Sequence, residues 1–317
     1  MLAPSRFTLP ACAAAALLAG CALRQAQGDN VQGGIPPLGV RAASWMSPAA
    51  KRGDLLYVAT GDNVYVLSYP VGKVVGGLGV TGNNLCSDKH GNVFVPTNGY
   101  QILEYAHGGM TPIQTLASGD IPLGCAVDPV TGNLAVTQEA SGAGEVAIFR
   151  HAKGQATWYR DPDISTFGLC GYDDRGDLFV DGAGSGNVLA ELPKGGSTFA
   201  NYALGRNFDV YGSIQWDGLH VTLANPTLGE IDRLAIGKTS LKVVGRTRVR
   251  GWHSNYYGRW PYIQTWLQDG TFIAQSSSLA DVGLWRYPAG GKAAGILGPF
   301  RSGNTNIYGV TVSLPPE

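Results

Sequence analysis

The chain has 317 residues, with 23 Lys and Arg against 23 Asp and Glu and only 15% charged residues, so it lacks the basic surplus with which nucleic-acid-binding domains neutralise phosphate. The 46 glycines, about twice the usual share, stand singly or in pairs between short apolar runs, and no long amphipathic helical pattern occurs. Composition therefore points to an all-β chain with many tight turns rather than a helical bundle.

The first residues, MLAPSRFTLPACAAAALLAGC, carry one positive charge at Arg6 and then an apolar core of about a dozen residues, the layout of an export signal. Pro10 breaks the run, which falls short of the about 20 apolar residues that a membrane span needs. Leu18-Ala19-Gly20-Cys21 resembles the lipobox of bacterial lipoproteins. That resemblance implies cleavage before Cys21 and acylation of its sulfur and its new amino group, giving more than one acyl chain and hence stable anchoring. The alternative is an ordinary secretory signal in which Cys21 is incidental. Ala22 in place of an aspartate resembles the outer-membrane sorting pattern, which in a Gram-negative cell implies the outer membrane facing the periplasm. Residues 1–20 are thus expected as signal peptide and 21–51, polar and rich in Gly, Pro and Gln, as a flexible tether. Trp45 and Met46 are its exception and are expected to dock on the folded body, residues 52–317.

From there the chain repeats itself. The unit DLLYVATGDNVYVLSYPVGKVVGGLG, residues 54–79, holds three apolar runs. Each of the next five holds four, separated by turn residues: 85–118, 124–161, 168–204, 213–249 and 262–300. The third run closes similarly nearly everywhere, as SYPVG, EYAHGG, IFRHAKG, ELPKGG, RLAIGK and RYPAGG. Gly72, Gly108, Gly154, Gly195, Gly237 and Gly290 are expected to supply the positive φ of a hairpin turn. Spacings between them run from 36 residues (72 to 108) to 53 (237 to 290), the size of a four-stranded propeller blade. The strand missing from the first unit is supplied by IYGVTVSL, residues 307–314. The expectation is a six-bladed β-propeller of four-stranded antiparallel blades, with the carboxyl-terminal strand innermost in blade one, a closure that removes free sheet edges.

First strands ending in Asp, Gly-Asn or Gly-Asp turns, and second strands such as NLAVT and DLFVD resemble the NHL-repeat and YncE-like propellers, over most of the chain from residue 52 onward. The Trp-Asp ending of WD40 blades is not found in that position. If Cys12 leaves with the signal and Cys21 carries lipid, Cys86, Cys125 and Cys170 remain. At most one disulfide can form among them, and they are read as three buried thiols packed as small hydrophobes.

Motifs that carry chemistry are scarce. Gly77 to Gly82 matches G-x-G-x-x-G, but the residues after it read as strand and turn, with no helix to aim a dipole at pyrophosphate. The five histidines are scattered, and His107 and His151, at equivalent third-strand ends, are expected to face solvent. Asp88, Asp128 and Asp173 end first strands just before turn glycines, where each carboxylate is expected to cap backbone N–H groups in an Asx-type turn. Asn98, Glu139, Asp181, Asn225 and Gln275 lie at or just past the ends of second strands in successive units. Such ends crowd together at one mouth of a propeller, so a ring of these side chains is a candidate site for a polar ligand or an ion, the alternative being that loop starts are simply polar. Trp252, Tyr256, Tyr257, Arg259 and Trp260 gather between units five and six, as an interface surface or as a hydrophobic filler between blades.

No cofactor is expected from any motif, and no metal ligand set is assigned. The function expected is a lipid-anchored extracytoplasmic binding or scaffold module for a protein or cell-envelope ligand, joined to the membrane through Cys21, with no nucleic-acid partner. The alternative is a metal-dependent lactonase or lyase type of propeller enzyme, with a divalent metal in its central channel.

Overall fold

A computed structural model describes residues 43–138, 144–204, 212–226, 228–252, 264–275, 280–300 and 306–316. The chain divides between Gly33 and Gly34, and every described residue belongs to the second unit.

Blade one contains β1 (Trp45–Met46), β2 (Leu55–Thr60), β3 (Val64–Ser68) and β4 (Val74–Leu78); blade two β5 (Cys86–Ser87), β6 (Val93–Thr97), β7 (Gln101–Tyr105) and β8 (Gln114–Ala117). Blade three is β9 (Pro122–Val127), β10 (Leu134–Gln138), β11 (Glu145–Phe149) and β12 (Ala156–Arg160). Blade four is β13 (Ile164–Tyr172), β14 (Leu178–Gly184), β15 (Asn187–Leu192) and β16 (Ala200–Ala203). Blade five is β17 (Ile214–Trp216), β18 (Val221–Asn225), β19 (Glu230–Ile236) and β20 (Leu241–Arg250). Blade six is β21 (Trp266–Gln268), β22 (Thr271–Gln275), β23 (Val282–Arg286) and β25 (Gly295–Leu297). Between its last two strands, β24 (Gly291–Lys292) runs parallel to β20 of the neighbouring blade. The last strand, β26 (Ile307–Ser313), pairs antiparallel with β2 from Leu55↔Ser313 to Thr60↔Ile307.

The protein is therefore an all-β, six-bladed propeller closed by its carboxyl-terminal strand. In blade one the order from the axis outward is β26, β2, β3, β4, β1. Innermost strands neighbour one another in the sequence β26, β5, β9, β13, β17, β21 and back to β26. Among the described residues regular structure begins at Trp45, where Trp45 and Met46 pair with Gly77 and Gly76 on the outer edge of blade one.

Each blade is covered on both faces, which is why strands such as LLYVAT in β2 are buried along their whole length instead of alternating with polar residues. The period-two geometry of a strand still sorts the side chains. Leu55, Tyr57 and Ala59 pack toward blade two with Val93 and Val95. Their neighbours Leu56 and Val58 pack toward blade six with Ile273, Val282 and Phe300. Four further apolar clusters fill the junctions two/three, three/four, four/five and five/six. In the last of these Trp252 meets Phe272 edge-on at 5.1 Å between centroids.

Near the axis, neighbouring backbones come too close for a side chain. A Cβ on Gly171 in β13 would collide with the Ile214 carbonyl of blade five, and one on Gly309 in β26 would sit 2.7 Å from the Asn84 Cα of blade two. Of the six turn glycines, five adopt φ between 60° and 79°; Gly237 does not. The reading of three buried thiols is corrected. Cys86 and Cys125 form a disulfide with Cα atoms 5.7 Å apart, joining innermost strands β5 and β9, and Cys170 alone is a buried free thiol.

Candidate functional site

The ring has two ends. At the mouth, second strands finish and first strands begin; at the opposite, turn end lie the turns joining first to second and third to fourth strands.

At the mouth the ring of polar residues read from the sequence separates into different environments. Asn98 is exposed, just beyond β6, and accepts a 2.9 Å bond from the Asn83 amide, which also donates 3.0 Å to the Pro122 carbonyl of blade three. Asp181 is 1% exposed and lies inside β14, not at its end. Its two carboxylate oxygens accept backbone N–H groups from Leu169 at 2.5 Å and from Gly212, on the approach to blade five, at 2.7 Å. Asn225 is buried at the end of β18 and accepts from the Leu228 N–H at 3.2 Å. Gln275 is 2% exposed at the end of β22. The structure thus leaves Asn98 as the exposed residue among the four described, and Glu139 lies outside the described residues. So do Cys21, Tyr256, Tyr257, Arg259 and Trp260, whereas Trp252 is buried at 2% in the blade five/six junction, where it acts as filler.

The principal contact at the mouth was not singled out in the sequence. The Gln264 N–H donates 3.0 Å to the Asn84 side-chain oxygen, the Leu85 N–H donates in return to the Gln264 side-chain oxygen, and the Asn84 amide donates to the Leu123 carbonyl. Gln264 also donates 3.2 Å to the Tyr308 carbonyl in β26. Four blades are stitched together around two buried amides. The partners stand 180 positions apart, so only the closed ring brings them together. Among the described residues no three His, Cys, Asp or Glu side chains gather as ligands of a metal ion would.

At the turn end the aspartates behave as Asx caps. The Asp88 carboxylate accepts the N–H groups of His90 and Asn92, Asp128 that of Val130, Asp173 those of Arg175 and Asp177, and Asp217 those of Leu219 and His220. Tyr287 of blade six adds a 2.7 Å O–H bond to Asp217. Burial pushes the Asp217 carboxyl up, but these bonds to its charged form outweigh it and hold the group below its ordinary range. His151 is exposed as expected, but His107 is half-buried, its ring nitrogens 2.7 Å from Ser313 Oγ in β26 and 3.2 Å from the Gly53 carbonyl. The expectation that His107 faces solvent is therefore corrected: the closing strand ends against it. Burial, only partly offset by the Gly53 bond and by Asp54, lowers its pKa.

The wedge-shaped spaces between blades open at this end as grooves of about 570 Å³ (two/three), 290 Å³ (three/four) and 430 Å³ (six/one). The first is lined by the carboxyl of Glu104, whose pKa is raised by burial and by Asp88 against the opposing pull of Lys153.

Charge is sorted between the ends. Lys73, Lys153, Lys194, Lys238 and Lys292 stand in or beside the turns after the third strands of blades one, three, four, five and six. Lys89 is in the first turn of blade two, Lys51 in the segment leading to β2, and Lys242 is the second residue of β20. These eight are all the lysines of the chain. All are exposed, and none pairs with a described carboxylate, whereas Arg160 and Arg248 are each held by one and Arg175 and Arg246 by two. The mouth carries Asp62, Asp120, Asp163 and Asp281 instead. Exposed apolar side chains share the turn end with the lysines: Val71, Met110, Ile113, Val130, Leu219 and Leu314, of which Val71 and Leu219 are 78% and 72% exposed.

No family model and no curated protein matches the sequence. Solved structures do match in shape. A chain of a nidogen/laminin complex aligns with a TM-score of 0.65 at 14% identity, covering 84% of this chain and 100% of that one. A protein of unknown function from Bacteroides caccae gives 0.57 at 13% identity over 83% and 99%, and Kuenenia stuttgartiensis hydrazine synthase 0.56 at 15% over 78% and 84%. At such identities the shared property is the propeller fold, which hosts many unrelated activities.

Proposed function

We propose that this chain is a lipid-anchored extracytoplasmic binding module of the NHL-repeat or YncE-like kind, held to the cell envelope through Cys21, in a Gram-negative cell on the periplasmic side of the outer membrane. The observation that carries the binding role is the turn end, where a ring of lysines without carboxylate partners and a set of exposed apolar tips are displayed on a rigid closed scaffold. The Cys86–Cys125 disulfide supports the compartment, since such bonds persist in oxidising surroundings. Similarity to a chain of a nidogen/laminin complex is in keeping with a propeller that serves protein association. At the mouth, we assign the polar contact to Asn98.

Growth with a fatty-acid analogue tests the anchor. Label is expected on the parent protein and absent from Cys21→Ala, which should also leave the membrane fraction; label persisting in that variant overturns the anchor. A thermal-shift screen with calcium, magnesium and zinc separates a binding module from a metal enzyme, because an ion bound to the native state raises the melting point. No rise is expected, and a saturable rise with one ion favours the enzyme.

A further inference from the structure

This inference rests on the reading of an envelope-anchored module and names the partner of its lysine-bearing end. We propose that the turn end docks flat on an anionic phospholipid bilayer, with the ammonium groups among the headgroup phosphates and the apolar turn tips beneath them.

The arrangement suits a surface better than a small ligand. A pocket ligand needs cations that converge, whereas the lysines are spread over all six blades, one or more to each junction of turns. Lysine presents a hydrated point charge on a flexible stem, without the planar fork that arginine offers to a fixed carboxylate, and this matches headgroups that diffuse and carry no fixed geometry. Acids share this end and keep their charge, but the carboxylates of Asp88, Asp128, Asp173 and Asp217 are folded back onto their own turns, so the eight exposed lysines outnumber Asp174 and Asp269, the fully exposed acids among the described residues there.

The apolar tips supply the second half of an interfacial site, apolar groups beside cations. Val71, Met110, Val130 and Leu219 belong to turns of blades one, two, three and five. They are dispersed around the ring instead of forming the central packed cluster on which a protein interface depends. That dispersal is what favours a bilayer over an acidic protein.

The test compares the full chain with a version carrying Lys73→Glu, Lys153→Glu and Lys194→Glu, both floated with vesicles of phosphatidylcholine alone or with about one-third phosphatidylglycerol. The leader and any acyl chain are the same in both, so their difference reports the lysines. Phosphatidylglycerol is expected to raise partitioning of the parent by about tenfold or more, with the gain shrinking at high salt and nearly vanishing in the triple variant. None of the three side chains forms an ion pair among the described residues, so melting points should stay close, with a small drop in the triple variant where Lys153 no longer offsets the Glu104 charge. A second version with glutamine at the same positions should keep an intermediate gain, which separates loss of charge from misfolding. The proposal is overturned if the triple variant floats as the parent does, or if the parent gains nothing from phosphatidylglycerol while binding polyglutamate. Failure of the anchor is read separately, as loss of the fatty-acid label.

Discussion

Asp181 shows how much one buried carboxylate can hold. Its two oxygens satisfy backbone N–H groups at Leu169 and Gly212 that water does not reach, so Asp181→Ala strands both donors and should cost about 3 kcal/mol in urea unfolding. Asp181→Asn, which keeps one acceptor, should cost less. His107 makes stability depend on pH. Its folded pKa lies below the ordinary 6.5, so between those two values the unfolded chain binds more protons and stability rises with pH. Its contribution is present above 6.5 and lost as pH falls through the folded value. A melting profile from about pH 8 to about pH 5 should decline in the parent and flatten in His107→Gln. The turn aspartates were legible in sequence because an Asx cap is local, with acceptor and donors two to four residues apart. Asp181 stands out in the sequence for its place near a strand end, but which face it uses depends on strand register, which a strand-end reading does not supply. Asn84 and Gln264 left no local trace.

Among the elements, the link between β5 and β9 is the clearest case of a bond decided by assembly. Cys86 and Cys125 are 39 residues apart, about one blade, and that spacing was the available signal. An odd number of remaining cysteines obscured it. In the loop-entropy account a crosslink of this span is worth about 4 kcal/mol. Cys86→Ala with Cys125→Ala should therefore lower the melting point by several degrees, and reduction of the parent should lower it to the same level. The turns were more readable. The glycine-closed hairpins recur where the third strands end, and five of six adopt the expected φ. The short β1 and β24 were invisible as strands, since two residues carry no period.

At the scale of the molecule, six blades and their closure were legible because each repeat writes the same order of strands and turns, and because the first unit lacks a strand that the tail supplies. Removing residues 306–317 should abolish the cooperative thermal transition, since it strips β2 of its inner partner and exposes the blade six/one cluster. Gly309→Ala is a gentler version: its Cβ would sit 2.7 Å from a backbone carbon that cannot turn aside, and about 1–3 kcal/mol should be lost. The repeats could not convey the sorting of charge, because lysines scattered along the sequence share one end only after the chain has circled the axis.

The seal made by β26 also sets a timetable. The segment that locks the first blade follows every other blade in chain order, so until the ribosome has passed it the earlier sheets wait as an unlatched row with one greasy flank bare. Assembly of the finished circle cannot precede the emergence of that strand, and any cellular helper that shields such a row acts before that moment.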